Sequence, residues 1–293
     1  MKINIKLYIN KKYIIKLLSI FMTVMSSVII MSKLCSDFFA DNNINNSVKL
    51  PIIMYHLVFK NTDNKNKFII SESTFEEDLK YIKNNNYTTI LVRDLINYVE
   101  NKCDLPEKPI LLTFDDGAYN NYLYAFELAK KYNMKFVFSP ICHEIEKYSK
   151  ICDKDPKYAY ATWENISEMS NSNLIEIQNH TYNLHSCKKP RIGCKKIMGE
   201  SDEIYEKILT EDIQKAQDLI KNHTNCSPTA FVYPFGAISK NTNDIIKKLG
   251  FKSSFLCEDK INVITRNPEC LYNLKRFLRK PGISSEKFFK KFE

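Results

Sequence analysis

The chain has 293 residues, 44% of them hydrophobic and 26% charged, so it can bury one large core or two small ones. The formal charge of +9 does not indicate a nucleic-acid partner. Six lysines before the first acidic residue, Asp37, carry most of that charge, which leaves the remainder of the chain at about +3.

An uncharged apolar segment lies near the amino terminus. Residues 17–31 contain no charge, and the lysines before them favour retention of this end in the cytoplasm. Small residues are missing at the spacing that a signal peptidase needs. We therefore expect residues 1–35 to be an uncleaved membrane anchor with the folded domain outside the cytoplasm; the alternative is a cleaved signal and secretion. Residues 36–49, rich in Asn and Asp, are predicted to be a polar tether before a domain at 50–293.

Nine cysteines are many for an exported protein. Cys142 with Cys152 and Cys187 with Cys194 are close enough in sequence to form disulfides that close loops, although spacing does not prove pairing. Free thiols are an equally good interpretation. The sequence has no C-x-x-C motif, which disfavours a structural zinc ribbon.

Apolar runs and helical patterns alternate along the rest of the chain. Helices are predicted to begin near residues 73, 95, 122, 163, 209 and 243, with another at the end of the basic tail. Long polar loops are predicted at 141–160 and 186–203. The predicted strands are residues 51–56, 87–92, 110–114, 135–139, 174–178, 229–233 and 251–256.

Polar residues follow the predicted strands, as expected where ligands bind at the carboxyl ends of parallel strands. This alternation over some 230 residues predicts one α/β domain, a distorted (β/α) barrel of about seven strands. Its catalytic face is expected at the C-terminal strand ends.

Two adjacent carboxylates, Asp115 and Asp116, end the apolar strand at 110–114 and precede Gly117. Neighbouring residues on a strand end point in opposite directions, so one carboxylate can hold a metal while the other moves a proton. For the dipeptide alone, an Asp-Asp-Gly turn or helix cap is the alternative.

Asp116, His180 and His185 supply one carboxylate and two imidazoles, a three-ligand set that leaves a zinc-like ion an open position. The five-residue step between the histidines excludes a shared helix face, so a strand end and a turn must bring them together. His143 and His223 match no motif and are predicted to lie on the surface.

Three motifs resemble the NodB-homology polysaccharide deacetylases of carbohydrate esterase family four. They are Thr-Phe-Asp-Asp-Gly (113–117), His-Thr-x-x-x-His (180–185) and Tyr-Pro-Phe-Gly (233–236). Pro-x-x-Met-Tyr-His (51–56) is similar to the permuted branch of exported poly-N-acetylglucosamine deacetylases, in which the catalytic histidine precedes the first motif.

The resemblance implies a role for each matching residue. Asp116, His180 and His185 would hold the metal, Asp115 would be the general base that activates water, and His56 the general acid that protonates the leaving amine.

The third motif is implied to contact the substrate. The backbone N–H of Phe235, beside Gly236, would stabilise the oxyanion, and Tyr233 belongs to the same substrate-side motif. Thr181 would help to position the metal ligands without contacting the metal itself.

Two features depart from the family pattern. Val232 stands where the third motif commonly has an arginine, and the Asp-x-x-Asp-Trp fourth motif is missing. Arg276 is a candidate to orient Asp115, the alternative being a salt-bridged surface arginine.

The leading hypothesis is therefore a metal-dependent carbohydrate N-deacetylase acting on N-acetylhexosamine units of a cell-wall or extracellular polysaccharide. One divalent ion is expected, Zn²⁺ first and Co²⁺, Ni²⁺ or Mn²⁺ as alternatives. The expected partners are the glycan and, through the amino terminus, a membrane. A glycosidase is disfavoured because adjacent carboxylates cannot straddle a sugar. The remaining alternative is a catalytically impaired glycan-binding module, which the missing arginine favours.

Overall fold

The computed structural model describes residues 16, 20–33, 47–62 and 66–292, and the chain divides into two units, Met1–Ser47 and Val48–Glu293. In the first unit, residues 20–33 are helical and their side chains are exposed. None of the helices in the described residues combines the length and apolar character needed to cross a membrane. Residues 36–46 of the predicted tether, Cys35 and the four lysines nearest the amino terminus lie outside the described residues.

The second unit alternates short strands with helices over its described residues. Its helices are α1 (Glu72–Asn84), α2 (Val92–Val99), α3 (Glu127–Tyr132), α4 (Cys142–Ile151), α5 (Trp163–Asn171), α6 (Asp202–Thr224), α7 (Thr242–Lys248) and α8 (Ser285–Phe289). Its strands are β1 (Val48–Leu50), β2 (Ile52–Tyr55), β3 (Leu57–Phe59), β4 (Ile69–Ser71), β5 (Thr88–Ile90), β6 (Pro109–Asp116), β7 (Phe136–Pro140), β8 (Ile175–Ile177), β9 (Ala230–Val232), β10 (Ser253–Phe255), β11 (Asn262–Ile264) and β12 (Phe277–Leu278). A π-helical turn, Asn121–Phe126, leads into α3.

The central sheet is parallel. Its strands run in the order β12, β2, β6, β7 and β8, with β5 also paired to β6, and a separate parallel ladder joins β9 to β10. Single parallel bridges, Asn179 to Phe231 and Phe255 to Leu274, connect that pair to the end of β8 and to the segment before β12. In the part of the chain that the structure describes, seven strands thus follow one another around a distorted barrel that the ladders do not fully close. The predicted fold class is confirmed.

β6 runs through the middle of the apolar core. Leu111 packs with one buried cluster, whereas Ile110, Leu112 and Phe114 belong to another, as the alternation of side chains along a strand requires. All four side chains are fully buried. The core therefore fixes the strand whose end carries the two aspartates.

Some local predictions were wrong. The loop predicted at 141–160 contains α4, which buries Cys142, Ile145 and Tyr148 on one face; the many polar residues on its other faces concealed this short apolar stripe. Ser73 and Glu76 have the sequence spacing of a capping box, but the first helix is instead capped by Ser71, whose hydroxyl accepts the Thr74 N–H at 3.1 Å.

The eight described cysteines are free thiols. Cys142 and Cys194, one from each suggested pair, are buried, whereas Cys152 and Cys187 are exposed. Among the described residues, the disulfide interpretation is therefore not observed and the free-thiol interpretation is.

Candidate metal centre and catalytic cleft

The backbone changes direction sharply at the end of β6. Asp116 has φ of 70° and Gly117 has φ of 93°, and a Cβ on Gly117 would lie 2.9 Å from the Cβ of Pro140. Glycine is therefore required at 117, because any side chain would be strained in this conformation and would collide with β7. The turn leaves the side chain of Asp115 on the strand face that carries Thr113 and directs the side chain of Asp116 away from that face.

Asp116, His180 and His185 converge. Asp116 Oδ1 lies 3.1 Å from His185 Nε2 and 3.5 Å from His180 Nε2. Each of the three residues offers one ligand atom, and these three atoms all lie within 4.8 Å of one another. His180 Nδ1 lies 2.7 Å from the carbonyl oxygen of Val232 and donates to it, so Nε2 is the ring nitrogen that faces Asp116.

The donor set fits a divalent metal ion. Asp116 Oδ1 is buried and has no hydrogen-bond partner among the described residues, yet two ring nitrogens face it. Burial alone would raise the pKa of Asp116, but its contacts with His180 and His185 outweigh burial and hold that pKa well below its usual range. An ionised carboxylate with two imidazoles is the donor set that zinc-like ions prefer.

Asp115 forms a buried ion pair with Arg276. The guanidinium nitrogens lie 2.7 Å from Oδ1 and 2.8 Å from Oδ2 of Asp115, and both side chains are at most 2% exposed. Arg276 also donates to Thr113 Oγ1 at 3.2 Å and to the Leu256 carbonyl at 2.9 Å. Burial would raise the pKa of Asp115, but the charges of Arg276 and His180 outweigh it, so that pKa is lowered and the carboxylate stays ionised. Arg276 is thus not a surface residue.

His56 follows β2 and lines the same cleft as the two aspartates. Its backbone carbonyl accepts a 2.6 Å hydrogen bond from Asn121 Nδ2, and its ring lies 4.6 Å from that of Phe68. Its Nδ1 is buried and has no hydrogen-bond partner among the described residues. Burial lowers the pKa of His56, and the charges of Asp116 and Asp115 oppose that effect.

The third motif contributes to the cleft only in part. Phe235 has φ of 59°, lies 45% exposed, and its ring is 4.5 Å from that of His185. Gly236 follows with φ of 63°, and a Cβ there would lie 3.0 Å from the backbone nitrogen of Cys257. The side chain of Tyr233, by contrast, is fully buried, packs on Phe231 and donates its hydroxyl to Asn243 at 2.7 Å, so it does not line the cleft.

Three non-glycine residues at the site have left-handed backbones: Asp116, Thr181 and Phe235. Thr181 has φ of 75°, which is rare for a β-branched residue and marks a strained position. The neighbouring Asn179 side chain accepts the Thr181 N–H at 2.9 Å and so supports the turn between the two histidines.

Sequence reasoning did not find several residues of this site. The cleft, about 490 Å³ in volume, is also lined by residues of other loops, among them Phe68, Cys257, Asp259 and Lys280. Asp212 of α6 accepts the N–H groups of Tyr182 and Asn183, both at 2.8 Å, and so anchors the loop that carries the histidines. None of these residues belongs to a recognisable sequence motif, because tertiary packing alone brings each of them to the site. Neither His143 nor His223 lines the cleft; His223 is exposed, as predicted, whereas His143 is half-buried against Tyr182.

The family model described as polysaccharide deacetylase matches residues 102–254, which is just over half of the chain. The chain belongs to the polysaccharide deacetylase family. The match includes Asp115, Asp116, His180 and His185, whereas His56 and Arg276 lie outside it. The predicted resemblance is therefore confirmed, and with it membership of a family of carbohydrate deacetylases.

Curated relatives of this chain include two proteins named poly-beta-1,6-N-acetyl-D-glucosamine N-deacetylase. The one from Escherichia coli K12 is 23% identical over an alignment of 225 residues that covers 70% of this chain and 33% of the relative. The one from Staphylococcus aureus MSSA476 is 25% identical over 215 residues, or 73% and 69%. The chain thus spans about a third of the length of the E. coli relative.

Two solved structures are similar in fold. A de-N-acetylase from Aggregatibacter actinomycetemcomitans aligns with a TM-score of 0.70 and 26% identity, covering 84% of this chain and 98% of that one. IcaB from Ammonifex degensii aligns with a TM-score of 0.65 and 26% identity, covering 80% and 92%. Both alignments extend well beyond the residues that the family model matches.

Proposed function

We propose that this protein is a metal-dependent N-deacetylase that acts on N-acetylhexosamine units of a cell-wall or extracellular polysaccharide. One observation carries the proposal. A single cleft contains the converging Asp116, His180 and His185 together with Asp115, which a buried arginine holds ionised. Poly-β-1,6-N-acetyl-D-glucosamine is the first substrate to test, because the curated relatives are named for it.

Asp116, His180 and His185 are the residues that would hold the metal, for which Zn²⁺ is the first choice on donor chemistry. When bound, such an ion supplies Lewis acidity, which polarises a carbonyl oxygen and lowers the pKa of water.

The other residues of the cleft supply proton transfer. Asp115 takes a proton from the water molecule whose oxygen attacks the acetyl carbonyl carbon, and Arg276 holds its carboxylate in place. As the C–N bond breaks, His56 donates a proton to the departing nitrogen. The products are acetate and a free amine on the sugar.

Phe235 has a backbone N–H beside the cleft. It lies in a turn in which both Phe235 and Gly236 have positive φ angles. We assign this N–H to stabilisation of the negative charge that develops on the carbonyl oxygen. His185 packs against the Phe235 ring, which couples the position of that turn to the metal site.

The alternative of an impaired glycan-binding module relied on the missing arginine at position 232. Arg276, in the C-terminal segment, takes the place of that arginine, because its guanidinium contacts both oxygens of Asp115. The enzyme hypothesis is therefore the better supported of the two.

We also propose that residues 1–35 tether the domain at a membrane with the carboxyl end outside the cytoplasm. The support is the sequence alone, namely the uncharged stretch at 17–31 behind a run of lysines. Fractionation of cells and determination of the mature amino terminus test this; a mature protein that begins near Asp41 would contradict an uncleaved anchor.

Acetate release from a panel of purified N-acetylated glycans, with and without a chelator, tests the proposed activity. The panel should contain poly-β-1,6-N-acetylglucosamine and peptidoglycan. We expect release from at least one polymer, its loss with chelator, and its recovery with Zn²⁺, Co²⁺, Ni²⁺ or Mn²⁺. Release that chelation leaves unchanged would contradict the metal-dependent mechanism.

A further inference from the structure

The chain that follows His185 folds back onto the domain. Residues 186–196, all of which the structure describes, form neither helix nor strand, in agreement with the predicted polar loop. Yet Cys194 is fully buried, and the Gly193 N–H donates to the Ser186 carbonyl at 2.9 Å. This segment, which we call the 186–196 loop, is therefore packed against the protein near Gly193.

Gly193 lies directly against the turn that contains Phe235. A Cβ added to Gly193 would lie 2.6 Å from the carbonyl oxygen of Pro234 and 3.3 Å from the Cβ of Ala237. Real Cβ atoms do not approach backbone oxygens so closely, so a side chain here would displace the loop or the turn. The same Pro234 carbonyl accepts the Ala237 N–H at 3.0 Å, which closes the turn around Phe235. Gly193 therefore touches the contact that gives this turn its shape.

Buried hydrogen bonds hold the 186–196 loop to the segment that follows the turn. The Tyr205 hydroxyl of α6 donates to the Cys194 carbonyl at 2.7 Å and lies 2.6 Å from Thr242 Oγ1. Tyr205 and Thr242 are at most 1% exposed. The Lys196 N–H donates to Ser239 Oγ at 3.0 Å. The loop therefore cannot move away from the turn without breaking hydrogen bonds, two of them at buried side chains.

A largely buried ion pair fixes the shape of the loop itself. Arg191 pairs with Glu200, whose side chain is only 3% exposed. Arg191 also donates to the Lys195 carbonyl at 2.7 Å, and Glu200 accepts the Ile197 N–H at 3.1 Å. Neither charged residue lines the cleft, and the proposed chemistry uses neither of them. The pair thus holds the loop in one shape.

We propose that the 186–196 loop positions the oxyanion-stabilising turn, and that Gly193 is the positioning residue that sets where the Phe235 N–H points. The inference rests on the proposed function, in which that N–H stabilises the developing negative charge. His185, at the start of the same loop, packs against the Phe235 ring at 4.5 Å, so one segment contacts the turn through both a metal-site histidine and Gly193. Such a donor is effective only when it is aimed at the oxygen on which charge develops.

Kinetics and metal content of full-length Gly193→Ala and Gly199→Ala test the proposal. Gly199 is the matched control because it also has a positive φ, 81° against 50° for Gly193, but a Cβ there would meet nothing within 4 Å. Both substitutions therefore strain the backbone, and only Gly193→Ala collides with the turn.

We expect Gly193→Ala to retain one metal ion and to lose about 10- to 100-fold in kcat with little change in KM. The loss should be the same on an acetamide and on an activated aryl acetate ester, because both develop charge on the carbonyl oxygen. Gly199→Ala should retain its rate. An unchanged kcat in Gly193→Ala, equal losses in the two variants, or a loss of metal that accounts for the lost rate would overturn the proposal.

Tyr205→Phe provides a second variant if Gly193→Ala does not fold, since it removes only the hydroxyl that holds the loop. Its control is Tyr272→Phe, because the Tyr272 hydroxyl also donates to a backbone carbonyl, that of Phe251 at 2.8 Å. Tyr205→Phe should lower kcat with the metal retained, whereas Tyr272→Phe should not. Equal rates in the two variants would overturn the proposal.

Hydrogen–deuterium exchange separates this inference from the proposed activity. If the unmodified protein released no acetate from any glycan, the proposed function would fail, but the contact between loop and turn could still be measured. The peptide that contains Ala237 should exchange faster in Gly193→Ala than in the unmodified protein, because the collision disturbs the Pro234 carbonyl that accepts its N–H. Gly199→Ala should leave this exchange unchanged. The same exchange in both variants would show that Gly193 does not position the turn.

Discussion

Asp115 and Asp116 are adjacent in sequence but have different surroundings. Asp115 remains on the strand face that bears Thr113 and contacts a buried guanidinium, whereas the positive φ of Asp116 directs its carboxylate to two histidines. One carboxylate is therefore fixed by a permanent cation of the protein and the other is available to a metal. This division of labour depends on a single turn that Gly117 makes possible.

The Asp115–Arg276 pair leads to the first prediction. Arg276→Met should destabilise the folded protein by about 3–5 kcal/mol, because it leaves Asp115 buried without its counter-ion. Arg276→Lys should be milder for stability but should still lower the rate, since an ammonium cannot contact both carboxylate oxygens as the guanidinium does. Chemical denaturation and acetate release measure the two effects. An Arg276→Met protein of normal stability would contradict the buried pairing.

His56 leads to the second prediction. His56→Ala should retain the metal and lose much more activity on an acetamide than on an activated aryl acetate ester, whose leaving group needs no proton. The exposed histidine variant His223→Ala provides the matched control and should lose little on either substrate. The same loss on both substrates would exclude His56 as the general acid.

At the scale of elements, the loop between the two metal-site histidines is held from a helix. Asp212 on α6 accepts the N–H groups of Tyr182 and Asn183, and Asn179 accepts that of Thr181. Burial raises the pKa of Asp212, whereas the hydrogen bonds from the Asn183 and Tyr182 N–H groups lower it. The distance between His180 and His185 is thus set partly by α6, which contributes no ligand itself.

We therefore predict that Asp212→Ala weakens metal binding by about 10-fold or more without unfolding the protein, as is usual when support for metal ligands is removed. Asp218→Ala is the control, since Asp218 lies on the exposed face of the same helix, where its carboxylate accepts a 2.8 Å hydrogen bond from Gln214. Metal titration and thermal melting compare them. Unchanged metal affinity in Asp212→Ala would show that the loop holds its shape without α6.

The sequence predicted those parts of the site that follow strands. Asp115, Asp116 and His180 come directly after apolar runs that could be recognised, and the structure places them together. Arg276 was only a candidate, because it reaches Asp115 across 161 residues of chain. Tyr233 was placed on the substrate side by its motif, but its ring belongs to the core. The strands β3 and β4 and the helix α4 were missed, since none has a long enough apolar pattern to stand out.

For the whole molecule, the parallel barrel lies within one unit. The ladders begin at Val48, which pairs with Ile264 of β11, and the final helical segment packs back on the core through Phe288 and Phe289. We predict that a chain of residues 48–293 folds with the same melting temperature and binds the same amount of metal as the full chain. A lower melting temperature or loss of metal would show that residues 1–47 contribute to the stability of the second unit.

The most direct test of the central claim is to measure metal content and acetate release side by side on Asp115→Asn and Asp116→Asn. Asp115→Asn should retain one ion per chain and lose about 10²–10⁴-fold in rate, the range expected for a missing general base. Asp116→Asn should lose both the ion and the activity, because it removes a ligand. If Asp115→Asn lost its ion, or if Asp116→Asn kept a full complement, the division between base and ligand would be wrong.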